Sequence, residues 1–184
     1  MLAAADRLLA EEGPEALTTT RVAAAAGISV GALYQYLPDR QAIVEAVADL
    51  YMSRLEALMD SFVAAAPTAR WDDPVTVLID AFVALYREQA GFRALWFSKD
   101  LSDNTREADR RHKRLMAARL HKILVILDRL PDTDEAAQAC YALFLAGDAV
   151  LQEAFRIDPE GDPMLLRHLD GLLRSYVTDL ATRN

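Results

Sequence analysis

A connection of only three residues, Gly27 to Ser29, constrains the fold of this chain more than any other feature. It separates two short segments in which apolar residues recur with helical spacing. Thr18 or Thr19 can cap the first helix, and Gly27 supplies the left-handed backbone that ends it. Ser29 caps the second helix, which must end near Leu37 because a proline follows. Two short helices joined by a tight glycine turn predict a helix-turn-helix unit.

The second helix of such a unit presents its early residues to the major groove of DNA. Leu33 and Leu37 lie four residues apart and can face the core beside Ile28. Tyr34 and Tyr36 can donate hydroxyl hydrogen bonds to phosphates without carrying charge. The alternative is that either tyrosine only packs against the core. The remaining side chains are small or of modest size, which suits close approach to base edges: Val30, Gly31, Ala32 and Gln35.

The segment Leu17 to Val47, LTTTRVAAAAGISVGALYQYLPDRQAIVEAV, closely resembles the DNA-binding segment of TetR-family transcriptional regulators. The shared pattern is a Thr-Thr pair, a Val-Ala helix, Ala-Gly-Ile-Ser and Gly-x-Leu-Tyr-x-Tyr, followed by a basic residue that opens helix four. The sequence departs from the pattern at Leu37-Pro38-Asp39-Arg40, where the family usually has Phe-x-x-Lys. Leucine for phenylalanine keeps the packing, and arginine for lysine keeps the charge.

The resemblance implies a role for nine residues by their position in the motif. Thr19 and Thr20 are implied at the groove edge and at phosphates, and Arg40 at a phosphate. Tyr34 and Tyr36 are implied as further phosphate contacts. The base-facing positions are implied to be Val30, Gly31, Ala32 and Gln35.

The charge of the chain opposes DNA binding, because phosphate contacts are driven by Lys and Arg. The net charge is −8, and residues 1–49 hold three positive and seven negative side chains. The sequence begins inside helix one, whereas the family usually has a short basic arm before this point. We therefore expect such an arm to precede this sequence. The basic run Arg110 to Arg114 could bind a nucleic acid or an anionic ligand, but a solvated helix surface is the ordinary explanation.

The whole chain reads as all-α, with about nine helices and two domains. Residues 1–49 are expected to form the three-helix DNA-binding domain, and residues 50–184 a larger helical ligand-binding and dimerisation domain. Helix four should run from Arg40 to about Ala65, roughly 40 Å, and connect the two. The single cysteine, Cys140, fits a reducing cytosol, and no apolar run approaches the length of a membrane span. We therefore expect a cytoplasmic protein that does not contact a membrane.

Aromatic residues concentrate in the middle of the chain and mark a candidate ligand pocket there. His112 lies on an apolar helix stripe and could orient a polar ligand atom, although a satisfied core or surface histidine is the ordinary explanation. Ordinary core packing is likewise the alternative for the other members. The predicted pocket consists of Met59, Phe82, Phe62, Tyr86, Trp96, Phe97 and His112.

The last two helices carry apolar residues beside small ones, and Gly147 would permit a second helix to approach closely. In the family these two helices pack against the same two helices of a second copy, in a four-helix dimer interface. Such a dimer would place two recognition helices about 34 Å apart on a palindromic DNA site. A monomeric core is the alternative. The predicted interface residues are Leu143, Gly147, Val150, Leu151, Leu165, Leu169, Leu172 and Tyr176.

These features predict a homodimeric regulator, a repressor released from a double-stranded DNA operator by a small lipophilic effector. The alternative is a helix-turn-helix protein that acts constitutively or through protein partners, without an effector. An enzyme is not expected, since the sequence shows no nucleophile elbow and no phosphate-binding glycine loop. The spacing of His112, His121 and His168 offers no metal site, and no cofactor is expected.

Overall fold

The computed structural model describes residues 1–98 and 101–183, and within these ranges all regular secondary structure is helical. It comprises nine α-helices and one short 3₁₀ helix, Pro14–Ala16, which the sequence did not predict. The all-α prediction is confirmed. The helices are α1 (Leu2–Glu12), α2 (Thr19–Ala26), α3 (Val30–Tyr34), α4 (Arg40–Ala65), α5 (Pro74–Glu88), α6 (Ala90–Trp96), α7 (Asp103–Ile126), α8 (Asp134–Ile157) and α9 (Pro163–Arg183).

The described residues group into two compact units whose boundaries differ from the predicted division at residue 49. The first unit combines Met1–Arg54 with Glu88–Asp109, and the second combines Leu55–Arg87 with Arg110–Asn184. The segment that contains α6 therefore belongs with the N-terminal helices. Long-range contacts determine such a grouping, and local sequence patterns do not report them.

The turn between α2 and α3 forms as its sequence predicts. The Thr18 hydroxyl accepts a hydrogen bond from the backbone N–H of Arg21 at 3.3 Å, and Gly27 adopts φ 68° and ψ 30°. The Ser29 hydroxyl accepts from the N–H of Ala32 at 3.1 Å. Helix α3 ends at Tyr34, three residues before the predicted end, because its last turn tightens: the N–H of Tyr36 bonds to the carbonyl of Leu33 at 3.0 Å.

The first unit has an apolar core that fixes the orientation of α3. Leu33 and Leu37 are buried, as are Leu9, Leu17 and Val22 from the preceding elements. Because Leu33 and Leu37 turn inward, their neighbours Tyr34 and Tyr36 must turn outward. The Asp39 carboxylate caps α4 by accepting from the N–H of Ala42 at 2.7 Å.

A polar cluster under α6 joins three segments of the first unit. The Tyr51 hydroxyl donates to the Asp6 carboxylate, and the Arg54 guanidinium donates to Asp6 at 3.0 Å and to Gln89 at 3.2 Å. Burial, followed by the hydrogen bond to Asp6, raises the pKa of Tyr51 well above its usual value. Gly91 of α6 lies against this cluster, where an added methyl group would meet the Tyr51 hydroxyl and Asp6.

The second unit is held by apolar packing among its helices and by several polar links. His112 Nδ1 and the Glu56 carboxylate are 2.9 Å apart, and Arg119 makes two hydrogen bonds to Asp60 at 2.6 and 2.8 Å. The Thr76 hydroxyl of α5 donates to Asp170 of α9 at 2.7 Å. These links fix α4, α5, α7 and α9 around the apolar interior of this unit.

Candidate functional site

The nine residues that the motif implied lie on α2, on α3 and on the segment from Gln35 to Arg40 at the start of α4. None of them is buried, and Thr20, Gly31 and Gln35 are exposed. Tyr34 keeps 49% of its surface exposed and Tyr36 keeps 71%. Exposure of this size does not fit the packing alternative for Tyr36. It leaves both phenol groups at the protein surface.

Two hydroxyl groups from different helices meet on this surface. The Thr19 hydroxyl at the start of α2 lies 3.4 Å from the Tyr34 hydroxyl at the end of α3. The helix-turn-helix geometry creates this pair, because the two residues are separated by the whole motif in sequence. Both hydroxyls are exposed, so together they can donate to one phosphate oxygen without placing charge on the surface.

The first turn of α3 offers room for close approach. A methyl group added at Gly31 would have the Ser29 hydroxyl as its nearest neighbour, at 4.0 Å, so the space in front of it is open. Val30 and Ala32 on either side are small and half-exposed. Because these side chains are small, this turn of the helix can approach the edges of base pairs closely.

The arginines of residues 1–49 each have a partner within the protein. Arg21 lies 2.5 and 2.6 Å from the two carboxylate oxygens of Glu12, which raises the pKa of Arg21 and lowers that of Glu12. Arg40 donates to the carbonyl of Pro14 at 2.9 Å, and Arg7 to the carbonyl of Ala25 at 3.5 Å. Neutral hydroxyls therefore supply a large share of the donors on this surface.

The second unit contains an apolar cavity of about 90 Å³. Of the predicted pocket residues, Met59 and Phe82 line it. Four residues predicted at the dimer interface also line it: Leu143, Gly147, Leu151 and Leu169. The sequence reasoning missed eight further lining residues, namely Val75, Leu78, Ile79, Leu120, Phe144, Asp148, Leu173 and Val177.

Five residues of the predicted pocket do not line this cavity. Phe62 packs edge-on against Trp71, and Tyr86 packs against Phe155 with ring centroids 5.0 Å apart. Trp96 and Phe97 belong to the first unit, where Trp96 packs on Phe92 at 5.0 Å. His112 is buried and pairs with Glu56, as the alternative reading held. The ring contacts of Phe62, Tyr86 and Trp96 are thus with other aromatic residues of the same unit.

An open groove on the second unit runs between α8 and α9. Leu172 and Tyr176 are 51% and 37% exposed there, beside the small residues Ala146, Gly171 and Ser175. Val150 and Leu165 are half-exposed. Gly147, Leu151 and Leu169 are buried inside the unit and form the cavity wall, while Leu143, also buried, borders both the cavity and the groove. The spacing of apolar residues in α8 identifies its apolar faces. It does not show which of these faces packs inside the unit and which lines the groove.

A metal site, a reactive cysteine or a membrane-spanning helix would each indicate a different kind of function. No three His, Cys, Asp or Glu side chains in residues 1–98 and 101–183 are grouped as a metal site would require. Cys140 is buried, and burial raises the pKa of its thiol to about 11, which disfavours the reactive thiolate. No helix in the described ranges combines the length and apolar character that crossing a membrane demands.

Comparison with known proteins identifies both parts of the chain. Residues 1–47 match the model for bacterial regulatory proteins of the tetR family, and residues 69–181 match that for the tetracyclin repressor-like C-terminal domain. No curated protein matches this chain in sequence.

Solved structures show the same fold. A TetR-family transcriptional regulator from Streptomyces coelicolor is 24% identical, with 97% of this chain and 96% of that chain covered and a TM-score of 0.69. NalD, the secondary repressor of the MexAB-OprM multidrug efflux pump in Pseudomonas aeruginosa, is 19% identical, with 95% and 92% covered and a TM-score of 0.53. The SmeT–triclosan complex is 23% identical, with 99% and 88% covered and a TM-score of 0.56.

Proposed function

The chain belongs to the tetR family of bacterial regulatory proteins and is a non-enzymatic, DNA-binding transcriptional regulator, and from this premise we propose that it is a repressor released from its operator by a small apolar effector. The exposed hydroxyl pair of Thr19 and Tyr34 is the observation that supports operator binding through this surface. The apolar cavity of the second unit supports the effector part of the proposal. A cytoplasmic location, as expected from the sequence, is part of the same proposal.

The residue roles on DNA follow from exposure and size. Thr19, Thr20, Tyr34 and Tyr36 donate to phosphates, and Arg40 adds a charged donor at the start of α4. Gly31, with Val30, Ala32 and Gln35 around it, faces the base edges of the major groove. The phosphate contacts position the recognition helix, and the four residues of its first turns select the sequence.

A homodimer is the second element of the proposal. The groove between α8 and α9 exposes Leu172 and Tyr176 beside residues small enough for close helix packing. Two copies related by a two-fold axis would cover this groove on both partners at once. A dimer with recognition helices one turn of DNA apart reads a palindromic operator.

Effector and operator then compete through the conformation of the dimer. An effector that binds better to the conformation with the wrong spacing of recognition helices weakens DNA binding, and DNA weakens effector binding by the same factor. NalD is a repressor and SmeT forms a complex with a small organic molecule, and both have this fold. These two relatives support the repressor role and the small-molecule effector for this chain.

The DNA-binding proposal can be tested by fluorescence anisotropy on the intergenic DNA upstream of the protein's own gene. Tyr34→Phe removes one hydroxyl from the exposed surface, and we expect affinity to fall roughly three- to tenfold, the usual contribution of one neutral hydrogen bond. Tyr141→Phe removes a hydroxyl from α8 of the second unit and serves as the matched control. Equal affinities for the two variants would reject the phosphate role of Tyr34.

A further inference from the structure

The lining of the cavity in the second unit is almost entirely apolar. Of its fourteen lining residues, Asp148 is the one with a polar side chain, and the rest are aliphatic, aromatic or glycine. Phe82 and Phe144 lie in the wall as an edge-to-face pair with ring centroids 6.4 Å apart. Sites that recognise polar ligands place several convergent hydrogen-bonding groups in such a wall.

The carboxylate of Asp148 is already engaged by the protein. Lys113 Nζ lies 2.9 Å from Asp148 Oδ2, and Gln152 Nε2 donates to the same oxygen at 2.8 Å. The Lys113 and Asp148 side chains are only 20% and 17% exposed. A ligand that drew Asp148 away would have to break both this ion pair and this hydrogen bond, which is costly. Asp148 is therefore a poor anchor for a ligand.

The size of the cavity limits the ligand as sharply as its chemistry does. An apolar cavity of about 150 Å³ in another protein accommodates benzene, and pockets for drug-sized ligands span roughly 300–1,000 Å³. This cavity measures about 90 Å³. Gly147 contributes to the space, because a methyl group added there would lie 3.3 Å from Leu173 of the opposite wall.

We infer that the effector is a compact molecule without hydrogen-bonding groups, a hydrocarbon or halocarbon no larger than a single six-membered ring. This inference rests on the proposed function, since it assigns the effector to this cavity. Hydrophobic and dispersion contacts hold such a molecule. A hydroxyl or ether oxygen placed in the cavity would lose its hydrogen bonds to water and gain none in exchange. The site thus selects its ligand by shape and by rejection of polar groups.

The test compares two molecules of the same shape on the wild-type protein without DNA. Cyclopentane and tetrahydrofuran have the same ring size, and only tetrahydrofuran carries a hydrogen-bond acceptor. Titration followed by NMR of the protein's methyl groups should show binding of cyclopentane at the cavity residues. Tetrahydrofuran should bind at least roughly tenfold more weakly. Equal or tighter binding of tetrahydrofuran, or no binding of cyclopentane, would overturn the inference.

Two variants of the second unit locate the binding. Gly147→Ala narrows the cavity and should lower cyclopentane affinity several-fold, with folding checked by circular dichroism. Ala84→Val adds apolar volume at an exposed position of α5, away from the cavity lining, and should leave the affinity unchanged. An unchanged affinity in folded Gly147→Ala would contradict the assignment to this cavity. DNA binding of the same preparations, measured separately, tests the proposed function independently.

Discussion

At the scale of single residues, one glycine shows how closely α6 is fitted to the N-terminal helices. Gly91 lies where the Tyr51 hydroxyl and the Asp6 carboxylate meet, and a methyl group there would also lie 3.1 Å from the Asp6 carbonyl. The backbone of Gly91 is helical, so steric contact rather than conformational freedom demands glycine at this position. Relief would require breaking the hydrogen bond between Tyr51 and Asp6 or moving α6.

We therefore expect Gly91→Ala to destabilise the protein by about 1–3 kcal/mol, the usual cost of overpacking. Gly31→Ala is the matched control, because the methyl group it adds on α3 has the Ser29 hydroxyl as its nearest neighbour, at 4.0 Å. Thermal unfolding followed by circular dichroism measures both variants. A melting temperature of Gly91→Ala equal to that of Gly31→Ala would show that the cluster accommodates the added methyl group without loss of stability.

At the scale of helices, a polar link joins α5 to α9 within the second unit. The Thr76 hydroxyl and Arg174 both donate to Asp170, and Arg174 also contacts Asp73. The hydrogen bond from Thr76, followed by that from Arg174, lowers the pKa of Asp170 below its ordinary value. The ionised carboxylate is thus favoured in the folded state relative to the unfolded state.

The sign of the pH effect follows from this lowered pKa. The stabilisation by Asp170 is fully present above the ordinary carboxyl pKa of about 4 and is lost as pH falls through the lower folded-state value. Melting temperatures of wild type and Asp170→Asn should differ at pH 6 and converge toward pH 3. The effect should be modest because the site is partly solvated. A difference that is constant over this range would contradict the role of the charge.

At the scale of the whole molecule, an acidic chain must bind a polyanion. Proteins that neutralise phosphates with Lys and Arg show a logarithmic salt dependence of slope about −0.9 for each phosphate contacted. The net charge here is −8, and Arg7, Arg21 and Arg40 of the DNA-binding segment each have a partner within the protein. Of these three, Arg21 is held in an ion pair with Glu12, and Arg40 is the one proposed to contact a phosphate. Because hydroxyl donors release no counterions, affinity should follow salt with a shallow slope of about −0.9 for each recognition helix.

Glu12→Gln tests this balance by releasing Arg21 from its ion pair. We expect the variant to bind operator DNA more tightly and its salt slope to steepen by about one for each recognition helix. Glu160→Gln, at an exposed position of the second unit, controls for the change in net charge. Anisotropy titrations across a salt series measure both slopes. An unchanged slope in Glu12→Gln would show that Arg21 does not reach a phosphate.

The sequence by itself determined those parts of the protein that depend on local interactions. The caps at Thr18, Ser29 and Asp39 need only neighbouring backbone groups, and the bounds of α4 follow from an N-cap and an uninterrupted apolar pattern. The helix-turn-helix geometry follows from the same signals. The outward position of Tyr34 and Tyr36 could therefore be predicted from the inward position of Leu33 and Leu37.

Only the tertiary structure decided which surfaces meet. Helical periodicity marks apolar positions without identifying the residues they pack against. Leu151 and Leu169 are therefore predicted at the dimer interface, and the structure places them in the lining of the cavity. Trp96 is predicted in the pocket of the larger domain. Its helix, α6, belongs to the first unit because of contacts with residues distant in sequence. The pairing of the Thr19 and Tyr34 hydroxyls likewise depends on how α2 and α3 cross. Partner choice is a property of the packed fold, which a local pattern cannot specify.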